Sequence, residues 1–178
     1  MTDHAPEFSR IVRIDQISAH GTELTIEARP EERRALADRF DLVDISSLTA
    51  TIKLKAIAGG TLFRLSATLK ASVIQTCVVS LEPVPEEIDD RFSMTFGGGI
   101  EEDGGEIDLS LDEEDPPEPV VDGGIDIGEA VAEHLALALD PFPRKPGTEY
   151  VAPQEPEPEP EKRPSPFAAL MTFHEKKR

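Results

Sequence analysis

The chain has 178 residues, 38% of them hydrophobic and 5% aromatic, with one Cys, no Trp and a net charge of −18. A single cysteine excludes an intramolecular disulfide framework and a Cys-rich zinc site within one chain, and no apolar run is long enough to span a bilayer. Met1-Thr2-Asp3-His4 has neither the basic nor the apolar region of a secretion signal, so the expectation is a soluble cytoplasmic protein with no membrane partner.

The charge is concentrated. Residues 1–97 carry 11 basic and 15 acidic side chains, residues 98–161 carry 2 and 20, and residues 162–178 carry 5 and 1. The first part reads as ordinary globular surface. The second repels phosphates and attracts cationic surfaces, or simply solvates a loose loop.

In chain order, Phe8–Ile14 predicts a strand with imperfect alternation, and Thr22–Ala28 a cleaner one with Leu24 and Ile26 on one face. Pro30 opens a helix to about Arg39 or Phe40, with Glu31 and Glu32 at the positive end of its dipole. Leu48, Ala50, Ile52, Leu54 and Ala56 then alternate with polar residues, as do Phe63, Leu65, Ala67, Leu69, Ala71 and Val73 after the turn at Ala58-Gly59-Gly60-Thr61. This pattern predicts a long antiparallel hairpin with one apolar face. Asp90–Phe96 predicts a further strand through Phe92, Met94 and Phe96, ended by Gly97-Gly98-Gly99.

Residues 100–124 read as an acidic flexible insert, although Ile107, Leu109 and Leu111 alternate. Asp126–Asp140 predicts a helix capped by Asp126, with Glu129 placed for a capping box and Pro141 as its stop. Residues 153–164 hold a Pro/Glu alternation, an extended spacer. The expected organisation is a single domain over 1–152, the spacer, and a basic, aromatic motif over 165–178. The expected fold is α+β: a twisted antiparallel sheet of about five or six strands, barrel-like in its curl, with two packing helices.

No catalytic constellation, cofactor site or metal site emerges. His4, His20, His134 and His174 are scattered, and Glu101-Glu102-Asp103 lacks the ligand spacing of a calcium loop. Gly97-Gly98-Gly99 is followed by acids, which argues against a phosphate cradle. Cys77 has no resolving partner and no neighbouring cation in sequence, and a packing role is expected for it. The end of the chain gathers Phe167, Leu170, Met171 and Phe173, followed by Lys176, Lys177 and Arg178. This is either a partner-binding motif or a segment that completes its own core.

Three segments together resemble the YceD-like family, the large ribosomal RNA subunit accumulation proteins of bacteria. The first is Cys77-Val78-Val79-Ser80-Leu81-Glu82-Pro83-Val84, similar to a Cys-x-x-Cys-Leu-x-Pro segment. The second is Ile125-Asp126-Ile127-Gly128-Glu129 leading into Leu135–Pro141. The third is Ser165-Pro166-Phe167-Ala168-Ala169-Leu170. The motif positions are Cys77, Leu81, Pro83, Asp126, Gly128, Glu129, Pro141 and Pro166. The second cysteine of the family's pair is Ser80 here, so a metal or redox role for that pair does not carry over.

The resemblance implies a non-enzymatic ribosome biogenesis factor that supports accumulation of large-subunit (23S) rRNA and binds an assembly intermediate. The implied partner is that rRNA or a pre-ribosomal particle, with no small-molecule substrate. The acidic charge favours contact through a basic ribosomal protein, and leaves Lys53, Lys55, Arg64 and Lys70 on the wet face of the hairpin as candidates for local RNA contact. The alternatives are an acidic adaptor or chaperone for a basic protein, unrelated to ribosomes, and a small hydrolase or metal enzyme.

Overall fold

Alternation dominates the middle of the chain, and the computed structural model, which describes residues 6–18, 20–97 and 116–149, turns it into three long strands. β3 (Asp44–Ile57), β4 (Leu62–Thr76) and β5 (Pro83–Gly97) pair consecutively and antiparallel. Gly59 (φ 70°) and Gly60 (φ 93°) reverse the chain between β3 and β4, a geometry glycine adopts without a Cβ clash. The expected register holds: Leu54 faces Leu65 and Ala50 faces Leu69. Leu48, Ile52, Leu54, Leu65 and Leu69 are fully buried on one face, each stabilising the fold by roughly 1.5–3 kcal/mol.

β5 starts at Pro83, earlier than the expected Asp90. Its first half carries two prolines and four acids, which hide a strand from a pattern reading. The prolines are tolerated because this stretch of β5 pairs on only one side, with β4. Ile88, Phe92, Met94 and Phe96 all face inward, as their spacing implies.

β2 (Thr22–Glu27) pairs with β3 at one edge, and β6 (Glu118–Pro119) pairs parallel to the end of β5 at the other. The order is therefore β2-β3-β4-β5-β6, and the sheet is open. The expected barrel-like closure does not occur. The edge strands β2 and β6 do not pair with each other, and other elements cover the inner face instead. Nor is the sheet wholly antiparallel, since β5 and β6 run parallel.

The Phe8–Ile14 segment yields only β1 (Ile11–Arg13) and a 3-10 turn over Ile14–Gln16. β1 leaves the main sheet and pairs with β7 (Gly124–Asp126) in a two-stranded ribbon. Between β6 and β7, Asp122 (φ 51°) and Gly123 (φ 69°) make a tight turn closed by a Gly124 N–H to Val121 carbonyl bond of 2.9 Å. Thus residues 116–124 are folded, unlike the flexible insert expected over 100–124. Residues 100–115 lie outside the described residues.

α1 (Pro30–Arg39) starts at the expected proline, and Glu32 accepts the Arg29 N–H at 2.7 Å to close its first turn. The same carboxylate forms a two-pronged pair with Arg10 (2.9 and 2.8 Å), tying the N-terminal segment to α1. α2 (Ile127–Ala138) is capped by Asp126, as expected. Glu129 does not complete a capping box. Its carboxylate pairs with Arg39 at 3.0 Å, which links the two helices. Leu36 of α1 and Ile127, Val131 and Leu135 of α2 are buried in the same apolar cluster as the sheet.

The chain divides into one compact unit, Met1–Thr148, and a second, Glu149–Arg178, of which only Glu149 is described. Among the described residues no helix is long and apolar enough to cross a membrane.

Candidate functional site

β4 ends at Thr76, and the chain must turn back to begin β5 at Pro83. The turn is built around one sulfur. Cys77 Sγ accepts the N–H groups of Ser80 and Lys145, each at 3.4 Å, while its own N–H donates to the Glu82 carbonyl at 2.8 Å. Leu81 N–H returns to the Cys77 carbonyl at 3.0 Å, which holds Leu81 at φ 61°. The thiol is fully buried, yet it is not part of the main apolar cluster. The sulfur is buried, as a packing role requires, and it also accepts hydrogen bonds. The Lys145 N–H first, then the Ser80 contacts, favour the thiolate and lower its pKa from 9.0 to about 6, against the opposing effect of desolvation. Sequence inspection missed this because Lys145 lies far along the chain, and its contribution is a backbone N–H.

The segment after α2 docks on this turn. Val78 N–H donates to the Pro143 carbonyl at 2.9 Å, Gln75 Nε2 donates to the Asp140 carbonyl at 2.9 Å, and Lys145 Nζ pairs with Glu82 at 3.0 Å. That ion pair holds the Glu82 carboxyl below its usual range. Phe142 N–H donates to Asp140 Oδ1 at 2.9 Å, which shapes the turn after Pro141. The first two family-like segments, 77–84 and 125–141, thus meet through the residues that follow the second. Gln75 Oε1 is buried there without a partner.

Beside the exposed Glu82–Lys145 pair, this junction presents large apolar side chains to solvent. Leu81 is 77% exposed and Phe142 68%, and Val78 is exposed beside the Pro143 bond. Leu137, on the outer side of α2, is also exposed. None of these side chains contributes to the core. Leu81 also sits in a left-handed conformation that costs a non-glycine residue about 1–2 kcal/mol.

Asp126 and Gly128 have a different task. Asp126 accepts from Ser9 Oγ (2.5 Å), Arg10 N–H (2.7 Å), Gly128 N–H (3.0 Å) and Glu129 N–H (3.2 Å), joining the helix start to the N-terminal segment. A Cβ on Gly128 would overlap the Phe8 carbonyl oxygen. These two positions position β1 against α2. Pro83 begins β5, and Pro141 is exposed beyond the helix.

Lys53, Lys55, Arg64 and Lys70 do share the outer face of the hairpin, with Lys55 opposite Arg64. Across the strands, however, Lys53 pairs with Glu23 (3.4 Å) and Lys70 with Asp89 (3.2 Å), so these two positive charges are already matched. His134 stacks on Phe92, with ring centroids 3.6 Å apart, and burial lowers its pKa against the influence of Asp90. His20 stands apart from it, and His4 and His174 lie outside the described residues. Among the described residues no group of three His, Cys, Asp or Glu is arranged to hold a metal ion. The motif residues Phe167, Leu170, Met171, Phe173, Lys176, Lys177, Arg178 and Pro166 also lie outside the described residues.

The model of the YceD family, described as large ribosomal RNA subunit accumulation protein, matches residues 65–174. The match runs from within β4 through the Cys77 turn, β5 and α2 into the C-terminal motif, stopping short of Lys176, Lys177 and Arg178. No curated protein and no solved structure gives a significant match.

Proposed function

The chain belongs to the YceD family, and from that premise we propose that it is a non-enzymatic factor that supports large-subunit (23S) rRNA accumulation by binding an assembly intermediate in the bacterial cytoplasm. One observation carries the binding half of this reading: the Cys77 junction holds Leu81 in a strained conformation and, with Phe142, points it into water. Folding alone gains nothing from either feature. Strained backbone and exposed apolar side chains at a polar-pinned turn are what a recognition surface requires. The family description favours this reading over an acidic adaptor with no ribosomal role.

The test is the ratio of large- to small-subunit rRNA in cells lacking the protein. The ratio falls in the deletion and is restored by the wild-type chain. Leu81→Asp combined with Phe142→Asp folds normally and fails to restore it. An unchanged ratio in the deletion disproves the role in rRNA accumulation. Full restoration by the double variant removes the junction from the mechanism.

A further inference from the structure

A second surface lies at the opposite end of β5. There β1, the Val121–Gly124 turn, the end of β5 and the first turns of α2 enclose a groove of about 590 Å³. Its lining includes Met94, Phe96, Ile125 and Ala130, and Ile11 and Val121 are exposed along it at 67% and 68%. This volume falls within the range of about 300–1,000 Å³ typical of sites that receive a substantial apolar group.

The charges around the groove are nearly all of one sign. Glu118, Asp122, Asp126, Glu129 and Glu133 line it, against Arg13. Arg13 is engaged, donating to the Asp122 carbonyl at 2.8 Å. Asp126 is consumed as the α2 cap, and Glu129 holds Arg39 with one oxygen. The other oxygen, Glu129 Oε2, is buried without a partner. Glu118 and Glu133 make no ion pair among the described residues. Desolvation first, then Glu129 and Glu118, raises the pKa of Glu133 against the opposing influence of Arg39, as expected where carboxylates outnumber the nearby positive charge. The carboxylates are not gathered to chelate a metal. They form an acidic field around an apolar floor.

We propose that this groove receives a basic segment of a partner protein, an apolar side chain entering between Ile11 and Val121 while flanking Lys or Arg side chains meet Glu118 and Glu133. A nucleic acid is disfavoured because its phosphates would face unpaired carboxylates. A small cation would leave the apolar floor unused. The inference rests on the binding role proposed above and names the chemistry of the partner at a separate surface.

The probe is a fluorescein-labelled peptide, Lys-Lys-Leu-Phe-Lys-Lys, titrated by anisotropy into the full chain at low salt. Glu118→Lys with Glu133→Lys weakens binding about tenfold or more, whereas Glu23→Lys with Glu87→Lys, an equal charge change on the outer face of the sheet, weakens it less than about twofold. Ile11→Ser with Val121→Ser also weakens binding, and both residues are exposed enough to leave the fold intact. Equal losses in the two charge-reversed proteins would show attraction to net charge alone and overturn the proposal. So would benzoylphenylalanine at Val121 crosslinking, without peptide, to residues 165–178 of the same chain or to a second copy. These outcomes leave the rRNA role standing, because that role is read separately from the rRNA ratio in deleted cells.

Discussion

The β3–β4 hairpin and the Cys77 junction lie in one sheet and are held by different forces. In the hairpin, Leu54, Leu65 and Leu69 are fully buried, and every second residue contributes to the same core. At the junction, two N–H contacts to sulfur, four bonds to backbone carbonyls and one ion pair hold the chain, while Leu81 and Phe142 stay outside. Apolar burial secures the first region without specifying any outward feature. Polar pins secure the second and leave its apolar side chains in solvent.

The comparison breaks most visibly at the core. Leu54→Asp should lower stability by roughly 4 kcal/mol or more, or abolish folding, because it buries a charge with no partner. Lys53→Ser, one residue away on the exposed face, should stay within about 0.5 kcal/mol. Urea denaturation of both variants checks the contrast, and a Leu54→Asp protein as stable as the parent would refute the register.

Next in size is Gly128→Ala, whose Cβ meets backbone rather than a flexible side chain. We expect a loss of about 2–3 kcal/mol in the same assay. Asp126→Ala removes four accepted hydrogen bonds and should cost about 1–2 kcal/mol, in the range of a lost cap. If either change is silent, the seam between β1 and α2 is less tightly packed than its geometry implies.

A smaller, pH-dependent effect marks the junction. The folded thiol of Cys77 ionises near 6 instead of 9.0. The resulting stabilisation is fully present above the ordinary thiol pKa and is lost as pH falls through the folded one. Wild-type stability should therefore rise between pH 6 and 9 relative to Cys77→Ala, and thiolate absorbance should titrate near 6. Titration near 9 would mean that the Lys145 and Ser80 N–H groups do not hold the sulfur in solution. The smallest effect on stability is expected from Leu81→Asp with Phe142→Asp, within about 0.5 kcal/mol by thermal melting. A large loss would return these side chains to the core and remove the contrast.

The elements legible in sequence were those encoded by local period and by end signals. The alternation over 48–56 and 63–73 set the hairpin and its register, Pro30 set the start of α1, and Asp126 set the cap of α2. These depend on neighbours a few residues apart, and the sequence alone determined them. Three features needed the tertiary structure. β5 over Pro83–Asp90 lacks an alternating pattern because its residues pair on one side only, so prolines and acids fit there. The open sheet depends on how five strands curl and which edges meet, which no local pattern encodes. The Cys77 junction depends on a backbone N–H from Lys145, 68 residues away, and backbone donors carry no side-chain signature. Ser80, read in sequence as the loss of a second cysteine, still lends both its hydroxyl and its N–H to the sulfur. Local periodicity therefore determined which side chains are buried in the hairpin, and only long-range docking decided which apolar side chains remain exposed.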